Sequence, residues 1–411
     1  MLLYINLFVF YPHFTNRVLL RNLEVPLLYD MFSEDLWELD EEAFTTFQYF
    51  TGANTLEEIA TKLKIDKSEI QQVIKELGPE IIINEHDKDA PSKLELARAP
   101  IPSLRTILIH ITRACNLACR HCYLDKEQKQ SIDLERFLSA VSQFEKLQGM
   151  KVIISGGEPL LHPKFFEMLE AIKNIKLRKM LLSNGMLIDE KVAQQLKPLV
   201  HEVQISVDGT NSHNKFRNNP YAFQKAIQAI KNLIEVGMDV SVATMVHSQN
   251  LDELPELEKL LKELQIKSWA LDVPSQTGEF KNHPELYPSL EEAGKALKRY
   301  GWGAPFEDQH NIYACGAHLC AIMPNGDVCK CGFFESSPVG NLMNMSLAEC
   351  WRILQKKFIW RQSDLECAAI HCPHLQDCRG GCRFRAYVNS GHLMGLDHVK
   401  CMAFGFKYPK E

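Results

Sequence analysis

Residues 112–123 read TRACNLACRHCY and set Cys115, Cys119 and Cys122 in a C-x3-C-x2-C run directly after an apolar, strand-like stretch. Thiolates bind zinc and iron–sulfur clusters alike, but a structural zinc site closes with four ligands and a [4Fe-4S] cluster ordinarily takes four cysteines. Three leave a position open, either to a distant fourth ligand, as in a zinc knuckle, or to an exogenous molecule. An open iron that can pass one electron to that molecule can start radical chemistry. Polar residues follow at the ends of the next strand-like runs. GGEP places Gly156, Gly157, Glu158 and Pro159 together, SNG supplies Ser183 and Asn184, ISVDG supplies Ser206 and Asp208, and HNKFRNN contains Arg217. Glycines let a backbone approach a ligand closely, a carboxylate pairs with an ammonium, and a guanidinium binds a carboxylate in bidentate fashion. The same residue types also cap helices at strand ends, and Tyr123, next to the third cysteine, can equally be a core aromatic.

Ten further cysteines lie between residues 315 and 401, in turn-rich sequence with few apolar runs. So sparse a core needs staples, and metal clusters are the natural ones. Disulfides are a poorer explanation, because the opening MLLYINLFVFY lacks the basic region and cleavage site of an export signal and is too short to span a bilayer. A cytoplasmic protein is expected, with no membrane association. The 411 residues carry a net charge of −6, which gives no sign of a basic surface, and nucleic acid is not expected as a partner.

Several kinds of element must position these residues. Between about 106 and 302, β-branched runs (TILIHI, KVIISG, KMLLSNG, EVQISVDG, DVSVATMV, SWALDVP) alternate with amphipathic stretches such as DLERFLSAVSQFEKL and YAFQKAIQAIKNLIEVG. Six β-α units in series imply an α/β fold with a parallel sheet, most simply a partial (β/α)6 barrel of the TIM type, whose loops after the strands converge on one mouth. Before it, extended pieces and two helical patterns, with Thr55 and Glu58 as a capping box, predict a winged helix-turn-helix module. The expected domains are residues 1–90 for this module, 91–104 for a charged, proline-containing linker, 105–305 for the barrel and 306–411 for the cysteine-rich part. The module carries 7 Lys and Arg against 17 Asp and Glu, a net −10, so phosphate binding is hard to sustain there.

CNLACRHCY resembles the signature of the radical S-adenosylmethionine (SAM) enzymes, in which three cysteines hold a [4Fe-4S] cluster and SAM chelates the open iron. The resemblance implies that Cys115, Cys119 and Cys122 are these ligands and that reductive cleavage of SAM gives a 5'-deoxyadenosyl radical. It further implies that GGEP, with Glu158, binds the methionine amino group, that Ser183, Asn184, Ser206 and Asp208 contact SAM, that Arg217 pairs with its carboxylate and that Tyr123 lies beside its adenine. CRGGCRFRAY and DHVKC resemble the SPASM extension of this family, which carries two auxiliary [4Fe-4S] clusters. Carried across, Cys315, Cys320, Cys331 and Cys382 would hold the first and Cys367, Cys372, Cys378 and Cys401 the second. The chain departs from the pattern at Cys367-x4-Cys372, where the family has C-x2-C. Cys329 and Cys350 are left over, with Cys329 able to replace Cys331, and a zinc ribbon is the alternative for this region. The N-terminal module resembles the peptide-recognition domain of the pyrroloquinoline-quinone-biosynthesis type, which captures a leader peptide as an added strand.

The function these resemblances imply is a maturase that modifies a ribosomal peptide or protein, using a one-electron reductant such as flavodoxin or ferredoxin. The alternatives are an enzyme of cofactor biosynthesis acting on a haem, redox-cofactor or metalloenzyme-cofactor precursor, and a non-catalytic iron–sulfur electron carrier.

Overall fold

The computed structural model describes residues 9–124, 130–303 and 312–406. Residues to Ser103 form one compact unit and residues from Leu104 onward another.

In the first unit, β1 (Pro12–Phe14) pairs antiparallel with β5 (Ile82–Asn84), and β2 (Val18–Asn22), β3 (Pro26–Asp30) and β4 (Leu36–Glu38) form an antiparallel meander. Helices Glu41–Phe47, Leu56–Leu63 and Lys67–Leu77 lie between β4 and β5 in the chain. The capping box forms as the sequence predicts: Glu58 N donates to Thr55 Oγ1 and Thr55 N to Glu58 Oε2. Lys64 then ends this helix in the left-handed region, and Asp66 caps the next one. Phe14, Phe47, Phe50, Leu56, Ile59 and Ile70 form the core. The stretch expected to be a linker is instead a strap on this unit. Leu94 and Leu96 pack against the core, Leu94 N donates to Gln48 O, Ala99 N to Asn22 O, and Ser103 binds the Glu24 carboxylate. Its apolar residues at alternate positions were the overlooked signal.

The second unit is built on one nine-stranded sheet. Strands β6 (Thr106–Thr112), β7 (Lys151–Gly156), β8 (Arg178–Ser183), β9 (Glu202–Ser206), β10 (Asp239–Met245) and β11 (Ser268–Asp272) are parallel and adjacent in chain order. This is the expected partial barrel. Helices such as Leu134–Lys146, Ala222–Glu235 and Leu254–Glu263 bury one face against it, with Phe137, Phe144, Ile230 and Leu257 wholly inaccessible. The sheet does not stop where periodicity fades. β12 (Leu319–Ile322) pairs parallel with β6, and β13 (Asp327–Cys329) and β14 (Gly340–Asn341) continue it antiparallel. The boundary expected at 305/306 lies outside the described residues, and strands from before and after it belong to one sheet. These three strands are two to four residues long, too short for a period-two pattern to stand out.

The helix Leu134–Lys146 shows which term holds the barrel. Phe137→Ala should cost about 3–5 kcal/mol through the cavity it leaves, whereas Asp133→Ala, which removes the cap on Arg136 N and a partly exposed ion pair with the Arg136 side chain, should cost about 1 kcal/mol. Denaturant midpoints of the two variants check this, and equal shifts would show that burial does not dominate.

Candidate active site

The cysteine loop leaves β6 and is held from one side by the turn after β7. Gly157 N donates to Thr112 O and Glu158 N to Ala114 O, both at 2.8 Å. A Cβ on Gly156 would lie 2.4 Å from Thr112 O and one on Gly157 2.4 Å from Ala114 O. The two glycines thus let one backbone lie against the other, a use the ligand-approach reading of GGEP did not foresee. On the other side, Arg120 N donates to Phe216 O, Glu279 N donates to Cys122 O, and a Cβ on Gly278 would meet that same oxygen at 2.3 Å.

Side chains then reach the thiols. Leu117 N and Asn184 Nδ2 donate to Cys115 Sγ at 3.4 and 3.9 Å, and Arg217 Nη1 lies 3.9 Å from Cys119 Sγ. Asn184 Nδ2 also donates to Asn116 Oδ1. Arg217 is buried and held by Asp208, whose Oδ2 accepts from Arg217 Nε at 2.6 Å while its Oδ1 accepts from Met245 N. Burial opposes the charge on Asp208, but Arg217, with smaller help from His121 and His213, outweighs it and holds the carboxyl well below the ordinary range. Beneath the loop, Phe216 is stacked between His121 and His247, with centroids 4.4 and 4.0 Å away. Burial lowers both imidazoles, to about 3 and about 4, so both are neutral at pH 7.

Glu158 is wholly buried and is the N-cap of the short turn Pro159–Leu161 that Pro159 begins. Its carboxylate accepts from Ser183 Oγ at 3.0 Å, Asn184 N at 2.8 Å and Leu160 N at 3.3 Å. Burial pushes this carboxyl up to about 7, against those hydrogen bonds.

A cavity of about 290 Å³ opens over the three cysteines at the carboxyl ends of the strands. Cys115, Cys119, Cys122, Tyr123, Gly156, Gly157, Ser183, Asn184, Ser206 and Arg217 line it. Glu158, Pro159 and Asp208 are not among the lining residues; Glu158 braces Ser183 and Asn184, and Asp208 braces Arg217. Sequence reasoning missed Ser155, Gln204, Ala243, Met245, Ser275 and Phe333 in its walls. Alternation along β9 and β10 was the usable signal, since Gln204 and Ser206, and Ala243 and Met245, are paired at spacing two.

A second cavity of about 560 Å³ shares Tyr123, Ala243, Met245 and Phe333 with the first and is lined by Cys315, Cys331, Cys378 and Cys382. Cys320 departs from its expected set. Leu319 lines the second cavity, so alternation turns Cys320 to the opposite face of β12, where it is inaccessible in the barrel core with Ile322, Val328, Cys350 and Trp351. Cys329 is fully buried beside Leu124, Met323 and Phe334, and Cys350 lies in the helix Leu347–Lys357. Of the pair Cys329 and Cys331, it is Cys331 that reaches the cavity. Cys367, Cys372 and Cys401 meet around Leu365 and Leu396, and Cys401 is also electrostatically coupled to Cys378. A helical turn, Glu366–Ala369, and the Cys372 N to Cys367 O bond accommodate the longer spacing. Among the described residues, no three His, Cys, Asp or Glu side chains close on a point as they would around a single metal ion. The grouping of three soft sulfur donors under a cavity, with N–H donors aimed at two of them, fits an iron–sulfur cluster with one open iron.

A parallel partial barrel with a three-cysteine loop at the mouth of its strands is an α/β arrangement whose loops meet at one site. Residues 109–261 match the model of the radical SAM superfamily, so the chain carries a radical SAM domain there, and its cysteine-rich C-terminus fits the SPASM type. Enzymes of this family use a [4Fe-4S] cluster and SAM. The chain is 25% identical over 338 residues to an AdoMet-dependent heme synthase of Oleidesulfovibrio alaskensis, covering 71% of this chain and 86% of that one. It is 27% identical over 318 residues to the mycofactocin maturase MftC of Mycolicibacterium smegmatis, covering 70% and 80%. In fold it is similar to Streptococcus suis SuiB bound to the precursor peptide SuiA, with a TM-score of 0.71 at 16% identity over 95% of this chain and 99% of SuiB. Among the described residues no helix is long and apolar enough to cross a membrane.

The raised carboxyl of Glu158 has a signature in stability. A carboxyl whose folded-state pKa, here about 7, exceeds its unfolded value of ~4.3 favours the fold in its protonated form. That contribution is complete below about pH 4 and is lost as pH rises through about 7. Glu158→Gln keeps an acceptor for Ser183 and has no charge to lose. The metal-free protein should therefore become less stable relative to this variant between pH 5 and pH 8. Paired denaturation curves measure the difference, and one that stays flat with pH would remove the assignment.

Proposed function

We propose that this radical SAM enzyme is a maturase of a ribosomal peptide or protein, with Cys115, Cys119 and Cys122 holding the cluster that cleaves SAM. The observation that carries the reading is the first cavity, where the three cysteines, the glycine-rich turn and Arg217 line one space. Bound there, the cluster and SAM supply a 5'-deoxyadenosyl radical able to take hydrogen from an unactivated carbon. The chain's own residues bind, orient and exclude water. Ser183, Asn184 and Ser206 line the cavity at the ends of β8 and β9 and would offer polar groups to SAM, and Arg217, held by Asp208, would pair with the SAM carboxylate. Gly156 and Gly157 offer backbone beside the cysteines, while Glu158 holds Asn184 and balances the SAM ammonium from behind the wall. Tyr123, in the same wall, would lie beside the adenine. Two auxiliary clusters are proposed, one on Cys315, Cys331 and Cys382 and one on Cys367, Cys372, Cys378 and Cys401, with flavodoxin or ferredoxin as the reductant.

The peptide reading draws on the first unit. The likeness to SuiB, solved with its precursor peptide, extends over 95% of this chain and so includes that unit. Its winged-helix arrangement has short strands at sheet edges, where an extended leader can add by backbone hydrogen bonds. A second reading, synthesis of a haem-type or other cofactor, is favoured by the heme synthase relative, whose match covers 71% of the chain.

Anaerobic reconstitution should load about three clusters, roughly twelve irons. Replacing Cys115, Cys119 and Cys122 by alanine should remove one cluster and all SAM cleavage, Cys331→Ala should lower iron further, and Cys320→Ala should leave iron unchanged. Iron and sulfide analysis decides this. Zinc in place of iron, or SAM cleavage that survives the triple replacement, would sink the assignment.

Deletion of residues 1–103 tests the substrate class. It should abolish modification of a full-length precursor while leaving reductive SAM cleavage intact, since every proposed ligand lies beyond it. Leader binding should also weaken as salt rises, because residues 1–90 carry a net −10 that would attract a basic leader. A truncated enzyme that modifies its substrate at the full rate would favour the cofactor reading.

A further inference from the structure

Lys330 is a buried cation that the proposed chemistry leaves without a task. It is 5% exposed, and its ammonium donates to the carbonyls of Gly316 and Leu319. Among the described residues no carboxylate lies within ion-pair distance of it, and the groups facing it are the thiols of Cys331, Cys320 and Cys315, which carry negative charge only as thiolate ligands. Arg385, in the same cavity, is different: it is paired with Asp397 and Asp272. Arg383 in turn faces Cys367, of the other cysteine set.

An ammonium taken out of water is costly unless an anion accompanies it. Both carbonyls that hold Lys330 belong to the segment just after Cys315, and Lys330 itself precedes Cys331. The side chain therefore ties together the two segments that bring Cys315 and Cys331 to the cavity wall, and its charge is fixed beside them. Cys320 faces the barrel core on the far side of β12, which leaves Cys315 and Cys331 as the partners on the cavity side.

We propose that Lys330 is the counter-charge of the auxiliary cluster on Cys315, Cys331 and Cys382, and that it raises the reduction potential of that cluster so that it can accept an electron. The proposal rests on the reading that these cysteines hold a cluster. A fixed positive charge stabilises the more negative, reduced form, and net charge and hydrogen bonding are what set such potentials.

The test uses the full chain with Cys115, Cys119 and Cys122 replaced by alanine, reconstituted anaerobically, so that only auxiliary clusters contribute to an EPR-monitored redox titration. With Lys330→Gln, one midpoint should move to more negative potential while the other stays, and Lys330→Arg should titrate like the parent. Unchanged midpoints in Lys330→Gln at full iron content overturn the proposal. If Lys330→Gln loses iron, Lys330→Arg decides: retained iron and the parent midpoint support the counter-charge, and loss of iron there too shows that only the shape of the lysine matters and overturns it. A parent carrying no iron–sulfur signal would instead overturn the auxiliary-cluster reading, and this proposal with it.

Discussion

Everything at the mouth of the barrel depends on two strand ends lying closer together than side chains allow. The turn after β7 rests on the backbone of Thr112–Ala114 through two hydrogen bonds, and neither Gly156 nor Gly157 has room for a Cβ there. The contact fixes where Cys115 starts. It also buries Glu158 where its carboxylate gathers the Ser183 hydroxyl and Asn184 N, so one side chain ties the end of β8 to the same point. Asn184 then reaches back to Asn116 and Cys115. Three consecutive strands are thereby registered to one another at the level where the chemistry occurs, by groups whose removal would leave buried donors unpaired.

Charge pairs extend this registration to parts of the chain far apart in sequence. Asp208 and Arg217 join the end of β9 to the cysteine loop, Arg113 and Glu335 join the start of that loop to the segment after Cys331, and Arg385 joins Asp272 at the end of β11 to Asp397 in the tail. Arg113, Asp208, Arg217, Arg385 and Asp397 are all buried, so desolvation offsets much of their attraction. Their value is geometric. Each pair specifies one arrangement of two loops that apolar packing alone would allow to slide, as expected where a site is assembled from loops and held within narrow tolerances.

The parts of this design that were legible in the sequence are those set by local rules. The six parallel strands follow from β-branched runs of five to seven residues, and the capping box at Thr55 from its spacing. The three-cysteine loop and its polar neighbours were legible because their types and positions at strand ends are unusual together. What was not legible depends on tertiary contact. GGEP reads as a ligand-binding turn, and what the sequence does not show is that the space its glycines leave is filled by the backbone of Thr112–Ala114. Cys320 looks like one of a series, yet the two-residue alternation of β12, a strand too short to recognise by pattern, turns it into the core. The strap over residues 91–104 reads as a linker because its charges are conspicuous, whereas Leu94 and Leu96 provide the docking.

The two cavities share a wall, and that wall constrains what the enzyme can do. Tyr123 follows Cys122 directly, lines both spaces, and packs against Phe333 at 4.6 Å and edge-on to His110 at 6.3 Å. Gly332, next to Cys331, has no room for a Cβ because His110 Nε2 and Tyr123 Oη lie 2.8 and 2.9 Å from where it would be. Segments carrying a cysteine of each set are therefore pressed against a single tyrosine ring, with no solvent-sized gap at that point. Burial raises the phenol of Tyr123 far above its ordinary range, so the ring stays neutral and adds no charge between the two sets of thiols. The first cavity is thus separated from the second at this point by a thin, uncharged aromatic layer, and a single neutral ring sets how closely whatever the two spaces hold can approach.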